Sequence, residues 1–248
     1  MLRKRSLLIA APIAAVALTL TVAGYQATAA GSSPSGGAGR SGKATEATAP
    51  CLVGATTLVG DLDGDGHPDK ITNPGHTGTK MTIRWGAADG SFGEKQAVSK
   101  LLGAKKGEVA SAAVADFQND GTLDMVVNLV EPSGIDDSST ARVAEYRPGP
   151  LKRANLSSAD SRHSDIGDHG EVQQLRIADY GDDVYPDLAI LNNPGDGQLD
   201  RDVRLSQPDS GPGKYDYELM QKYGEYGSTA EPPAMPSGGW AQFYKPCS

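Results

Sequence analysis

Residues 59 to 72 read V-G-D-L-D-G-D-G-H-P-D-K-I-T, which places Asp61, Asp63, Asp65 and Asp69 within nine residues. Carboxylates this close repel one another unless a cation sits among them, so the spacing points to metal-ligand chemistry. In an Asp-x-Asp-x-Asp-Gly loop, side chains at positions 1, 3 and 5 turn toward one centre, and a main-chain carbonyl at position 7 adds a neutral oxygen. Such hard oxygens suit calcium, which takes six to eight of them at about 2.3–2.6 Å. The candidate ligands are Asp61, Asp63, Asp65, the carbonyl of His67, and Asp69, with Gly66 supplying the positive φ of the turn. An EF-hand is excluded, because it needs a glutamate at position 12 and flanking helices. Position 12 here is Thr72, between stretches that read as strands.

The same stretch occurs twice more without gaps, as VADFQNDGTLDMVV at 114–127 and IADYGDDVYPDLAI at 177–190. The second loop offers Asp116, Gln118, Asp120, the Thr122 carbonyl and Asp124, an amide oxygen replacing the third-position carboxylate. The third offers only Asp179, Asp183 and Asp187, because Gly181 removes the third-position ligand and Val184 replaces the turn glycine, where a β-branched residue makes a positive φ costly. Calcium occupancy is therefore expected to fall in the order first, second, third. The competing reading is that these aspartates only accept backbone hydrogen bonds in tight turns. In the third loop the missing ligand and glycine favour it.

Elements must hold these loops, and the flanks read as strands: alternating or β-branched runs broken by Gly, Pro and Asn clusters. The repeats lie 55 and then 63 residues apart, a period that suits one four-stranded antiparallel unit each. The pattern predicts strands at 52–59, 68–73, 79–85 and 92–99, then at 108–117, 123–130, 141–147 and a weak 151–156. A third set follows at 172–179, 186–191, 201–205 and 214–222. One helical turn is expected around SKLLGAKK.

The loops DLDGDGHPD, DFQNDGTLD and DYGDDVYPD, with GAADGSF at 86–92 as a glycine-aromatic turn, resemble the FG-GAP or VCBS repeat. This is the calcium-loop repeat of integrin-alpha-type β-propellers and of many secreted bacterial proteins, and the likeness covers about residues 52–225. It implies an all-β, β-propeller-like fold of three four-stranded repeats, with structural Ca2+ in the loops and blades that serve as binding platforms. Familiar propellers have at least four blades, so three repeats imply a short or incomplete ring. Closure would come from the C-terminal GGWAQFYKPC or from a second chain. Trp240, Phe243 and Tyr244 are expected to plug against the first strand.

The rest of the chain sets the context. Among 248 residues, Arg3, Lys4 and Arg5 precede an apolar run from Leu7 to Gly24 and the small residues Ala27-Thr28-Ala29. This reads as a signal peptide over 1–29, the rival being an uncleaved membrane anchor. Residues 30–50 hold no aromatic or large aliphatic side chain and read as a flexible linker to a domain over 51–248. Cys51 and Cys247, the two cysteines, bracket that domain and in an exported protein most simply pair; two unrelated thiols, or a link between chains, are the alternatives. Without the leader, 20 Lys and Arg face 31 Asp and Glu. That balance repels nucleic acid, and no phosphate-cradling glycine loop supports a nucleotide cofactor. His163 and His169 with Asp165 and Asp168 could in principle hold zinc, but they lack the spacing of a zinc module and read as a flexible loop. No nucleophile elbow is present. The expected function is that of a secreted, non-enzymatic recognition or adhesion module with an extracellular protein or glycan ligand and no membrane contact after leader cleavage. The alternatives are an extracellular polysaccharide hydrolase, or a β-sandwich or barrel whose acidic turns bind nothing.

Overall fold

The computed structural model describes residues 49–133 and 139–248. The predicted signal peptide, 1–29, and all but the last two residues of the predicted linker lie outside the described residues. Among the described residues, no helix is long and apolar enough to cross a membrane.

Among the described residues the fold is all-β, with four antiparallel sheets and no closed barrel. The first sheet runs in chain order through β1 (Cys51–Leu52), β2 (Thr57–Gly60), β3 (Asp69–Thr72), β4 (Thr82–Arg84) and β5 (Gln96–Ala97). The second holds β6 (Val109–Ala115), β7 (Asp124–Val130), β8 (Val143–Arg147) and β9 (Arg162–His163). The third holds β10 (Glu171–Ala178), β11 (Asp187–Gly195), β12 (Gln198–Arg204) and the edge strand β15 (Glu225–Ser228). A two-stranded hairpin, β13 (Ser206–Gln207) with β14 (Gly211–Pro212), makes the fourth.

Residue choice explains these strands. β2 and β3 alternate half-buried and buried positions, as strands with one covered face should. In β7 (DMVVNLV) all seven residues are buried, so both its faces are covered and its sequence is a continuous apolar run around Asn128. Each acidic loop joins equivalent strands: β2 to β3, β6 to β7 and β10 to β11. Gly60 pairs with Asp69, Ala115 with Asp124, and Ala178 with Asp187, so the residue before each loop faces the loop's ninth residue.

The three larger sheets meet at Thr77 and Gly78. The Gly78 carbonyl accepts from the Ala112 amide of β6 at 2.9 Å, and the Thr77 carbonyl from the Leu175 amide of β10 at 3.0 Å. Gly78 has φ +76°, and a Cβ there would lie 2.5 Å from the Ala112 oxygen, so only glycine fits. The apolar core spreads around this point, through Leu58, Ile71 and Ile83, then Val114, Phe117 and Met125, then Leu175, Leu188 and Ile190.

The C-terminal segment returns to the first sheet. Leu52 donates its amide to the Lys245 carbonyl at 2.8 Å and accepts from the Cys247 amide at 2.9 Å, beside the Cys51–Cys247 disulfide. The expected plug is present but sits elsewhere: Trp240 is buried and donates its indole N–H to the Val114 carbonyl of β6 at 2.6 Å. It therefore clamps the second sheet, and the backbone pairing engages the first.

Several predicted elements are corrected. The strand expected over 52–59 is a hairpin, β1 turning into β2 through Gly54 at φ +67°. The weak strand at 151–156 is absent; the Asn155 and Leu156 amides both turn back to the Lys152 carbonyl, and the fourth strand is β9 instead. Thus His163, read as part of a flexible loop, belongs to a strand paired with β8. The strand at 214–222 is replaced by a helix, α2 (Tyr217–Tyr223), because the Asp216 side chain caps the amides of Glu218 and Leu219. The strand expected over 92–99 shrinks to β5, followed by the short helix α1 (Val98–Leu101), which overlaps the start of the helical turn expected at SKLLGAKK.

Candidate metal centre

The first loop turns because Asp61 binds its own backbone. Asp61 Oδ1 accepts the Gly64 amide at 2.7 Å and Oδ2 the Gly66 amide at 2.8 Å. Both glycines hold positive φ, +75° and +83°, in accord with the turn role expected of Gly66. Asp63 Oδ1 accepts from the Asp65 amide, and Asp65 Oδ1 from the His67 amide. One ligand oxygen from each of Asp61, Asp63 and Asp65 lies within 4.8 Å of the others. A carboxylate has about four acceptor positions, so these backbone contacts do not exhaust the acceptor capacity of the three side chains.

Asp69 stands outside that trio. It is fully buried, its Oδ2 accepting the Leu62 amide at 3.0 Å and its Oδ1 the Gly86 amide at 2.7 Å. Asp124 repeats the arrangement with the Phe117 and Gly149 amides, and adds the Tyr146 hydroxyl at 2.8 Å. Asp187 repeats it with Tyr180, Gly181 and Ser206. In each sheet the ninth residue of the loop thus ties the loop's start to the chain that leaves the next strand but one, β4, β8 or β12. Burial is the main cause that raises all three carboxyls, Asp69 and Asp124 to about 6, against the hydrogen bonds that hold them down.

The second loop keeps the turn of the first: Asp116 accepts the Asp120 and Gly121 amides, and Asp120 the Thr122 amide. The third keeps less. Asp179 accepts the Asp182 amide, and Asp183 the Tyr185 amide. Positive φ recurs at the fourth position of every loop (Gly64, Asn119, Asp182) but at the sixth only in Gly66 and Gly121, so Val184 escapes the strained conformation. The space left by Gly181 is taken by Asp183, whose Oδ2 would lie 2.7 Å from a Cβ at 181. Gln118 and Thr122 are half-buried on the second loop, as His67 is on the first. Among the described residues, Asp61, Asp63 and Asp65 are the one acidic or histidine group that converges closely enough to hold a metal.

The residues considered for zinc do not converge. His163 Nε2 lies 3.4 Å from Asp168, but Asp165 binds the Arg204 guanidinium and the Tyr215 amide, and His169 stacks on Tyr215 at 4.4 Å. Of these groups, His163, Asp165 and Asp168 line a cleft of about 650 Å³ between β9 and the β13–β14 hairpin.

Sequence reading missed Arg153. Its guanidinium binds Asp63 through Nε and Asp65 through Nη2, and Nη2 also reaches the Gly86 carbonyl at 3.2 Å. Arg153 stacks over Trp85, 5.5 Å from the ring centroid. Nothing in the spacing of LKRANL marks Arg153 as a partner, because it arrives from the second sheet. The donor set itself, three convergent carboxylates, suits a hard dication such as calcium.

The geometry agrees with one comparison. Residues 54–127, which span the first two acidic loops, match the family model described as FG-GAP-like repeat. No curated protein and no solved structure matches the chain.

Proposed function

We propose that this is a secreted, non-enzymatic recognition or adhesion module whose acidic loops hold structural calcium and whose three larger sheets act as blades of a short propeller. The observation that carries the reading is the convergence of Asp61, Asp63 and Asp65 inside the segment that matches the FG-GAP-like repeat. The disulfide supports an oxidising, extracellular setting. Each bound ion would neutralise a cluster of like charges and stabilise the folded state by mass action, about 2.7 kcal/mol at one hundred times Kd. For a domain of this size that corresponds to a rise of about 5 °C or more in melting temperature. Melting followed by circular dichroism in millimolar calcium and in chelator is the test; identical midpoints would sink the reading.

A protein or glycan partner is the expected ligand, and a binding screen in calcium would identify its class. The second reading, a polysaccharide hydrolase, draws on Asp200 and Asp202. These two carboxyls lie on β12, both raised chiefly by burial, as carboxylate pairs in hydrolytic sites often are. The cleft beside β9 is lined by neither of them. A glycan consumed rather than retained in the screen would favour the hydrolase.

A further inference from the structure

We propose that Arg153 is the resident counter-cation of the first loop and competes with calcium for it, an inference that rests on the calcium reading above. Asp63 gives one oxygen to the Asp65 amide and the other to Arg153. Asp65 gives one to the His67 amide and the other to Arg153. The oxygens these two aspartates would offer a metal are thus already held by a guanidinium, whose planar fork suits two carboxylates.

The arginine is delivered, not stranded. Its segment docks on the loop through the Leu151 amide, which donates to the Leu62 carbonyl at 2.9 Å. Pro150 packs so closely that a Cβ on Gly64 would lie 2.8 Å from it. Trp85 and the Gly86 carbonyl, from the end of β4, hold the guanidinium from the other side. Among the described residues, no Lys or Arg pairs with Asp116 or Asp120 of the second loop, or with Asp179 or Asp183 of the third. The device belongs to the first loop, which has the fullest ligand set.

Calcium entering that loop must therefore evict Arg153 from Asp63 and Asp65, loosening a link between the first and second sheets as it tightens the loop. Without the ion, the guanidinium offsets part of the cluster's negative charge at Asp63 and Asp65. The loop is never left as bare negative charge, and its calcium affinity is set lower than its carboxylates alone would give.

The test is calorimetric titration of the purified protein, its Arg153→Gln variant and its Arg153→Lys variant with calcium chloride, alongside melting of each in chelator. The Arg153 side chain is 41% exposed, so neither substitution leaves a core cavity. The expected result is about ten-fold tighter calcium binding by R153Q, the scale of losing one charge-assisted competitor. R153K, which keeps the charge without the fork, should fall between, and R153Q should melt below the parent in chelator. Equal or weaker calcium binding by R153Q overturns the competition while leaving the calcium reading intact. Absence of calcium binding by all three proteins overturns the calcium reading and the competition with it.

Discussion

Asp69, Asp124 and Asp187 occupy the same register position in three sheets, and each gives its oxygens to backbone amides on both sides. At Asp124, burial raises the folded-state carboxyl to about 6 from an ordinary value of 3.8. Between those values the folded protein holds a proton that the unfolded chain releases. Its contribution to stability is therefore complete below about pH 4 and is lost as pH rises through about 6. Asp124→Asn removes that titration and puts an amide N–H where an acceptor stood, orphaning the Gly149 or Phe117 donor at a cost of about 1–3 kcal/mol. Melting in chelator from pH 4 to 8 checks both effects. The variant should melt lower throughout, and the gap to the parent should narrow as pH rises; a constant gap would contradict the assigned titration.

At the scale of elements, the C-terminal segment works as a clasp. Trp240 buries its ring and satisfies the Val114 carbonyl, and the Tyr244 hydroxyl accepts the Asp116 amide at the head of the second loop. Trp240→Ala should cost about 3–5 kcal/mol, read as a lowered urea midpoint. Trp240→Phe, which keeps much of the apolar area but loses the donor, should cost less. The loops and their flanking strands were legible because Asp and Gly recur at fixed offsets between apolar frames, and those frames became β2–β3, β6–β7 and β10–β11. The outer strands were harder to read. β9 is two exposed residues, Arg162 and His163, that carry no apolar pattern at all. The alternation in KYDYELMQK imitates a strand, but the cap at Asp216 turns the chain into a helix. Asp69 illustrates the limit at the site: the sequence fixes its spacing from Asp61, but only the fold decides that its oxygens go to Leu62 and Gly86. Arg153 lies 88 residues from its partner Asp65, beyond any local pattern.

For the whole molecule, the disulfide joins residues 196 positions apart and restrains the unfolded chain more than any local contact can. In the chain-entropy model such a loop stabilises the fold by about 5 kcal/mol, and removing a native bridge typically costs about 2–5 kcal/mol. The Cys51→Ser, Cys247→Ser double variant should show that loss in a denaturant titration. It should retain the Leu52 pairing with Lys245 and Cys247, which consists of backbone hydrogen bonds. The position of the bridge also has a mechanical consequence. Cys51 opens β1, the first strand of the first sheet, and Cys247 follows all the described strands and helices. A pull applied to the chain on either side of these two cysteines would pass through the sulfur–sulfur bond and leave the sheets between them unloaded, as a link closed across its own gap carries tension without opening.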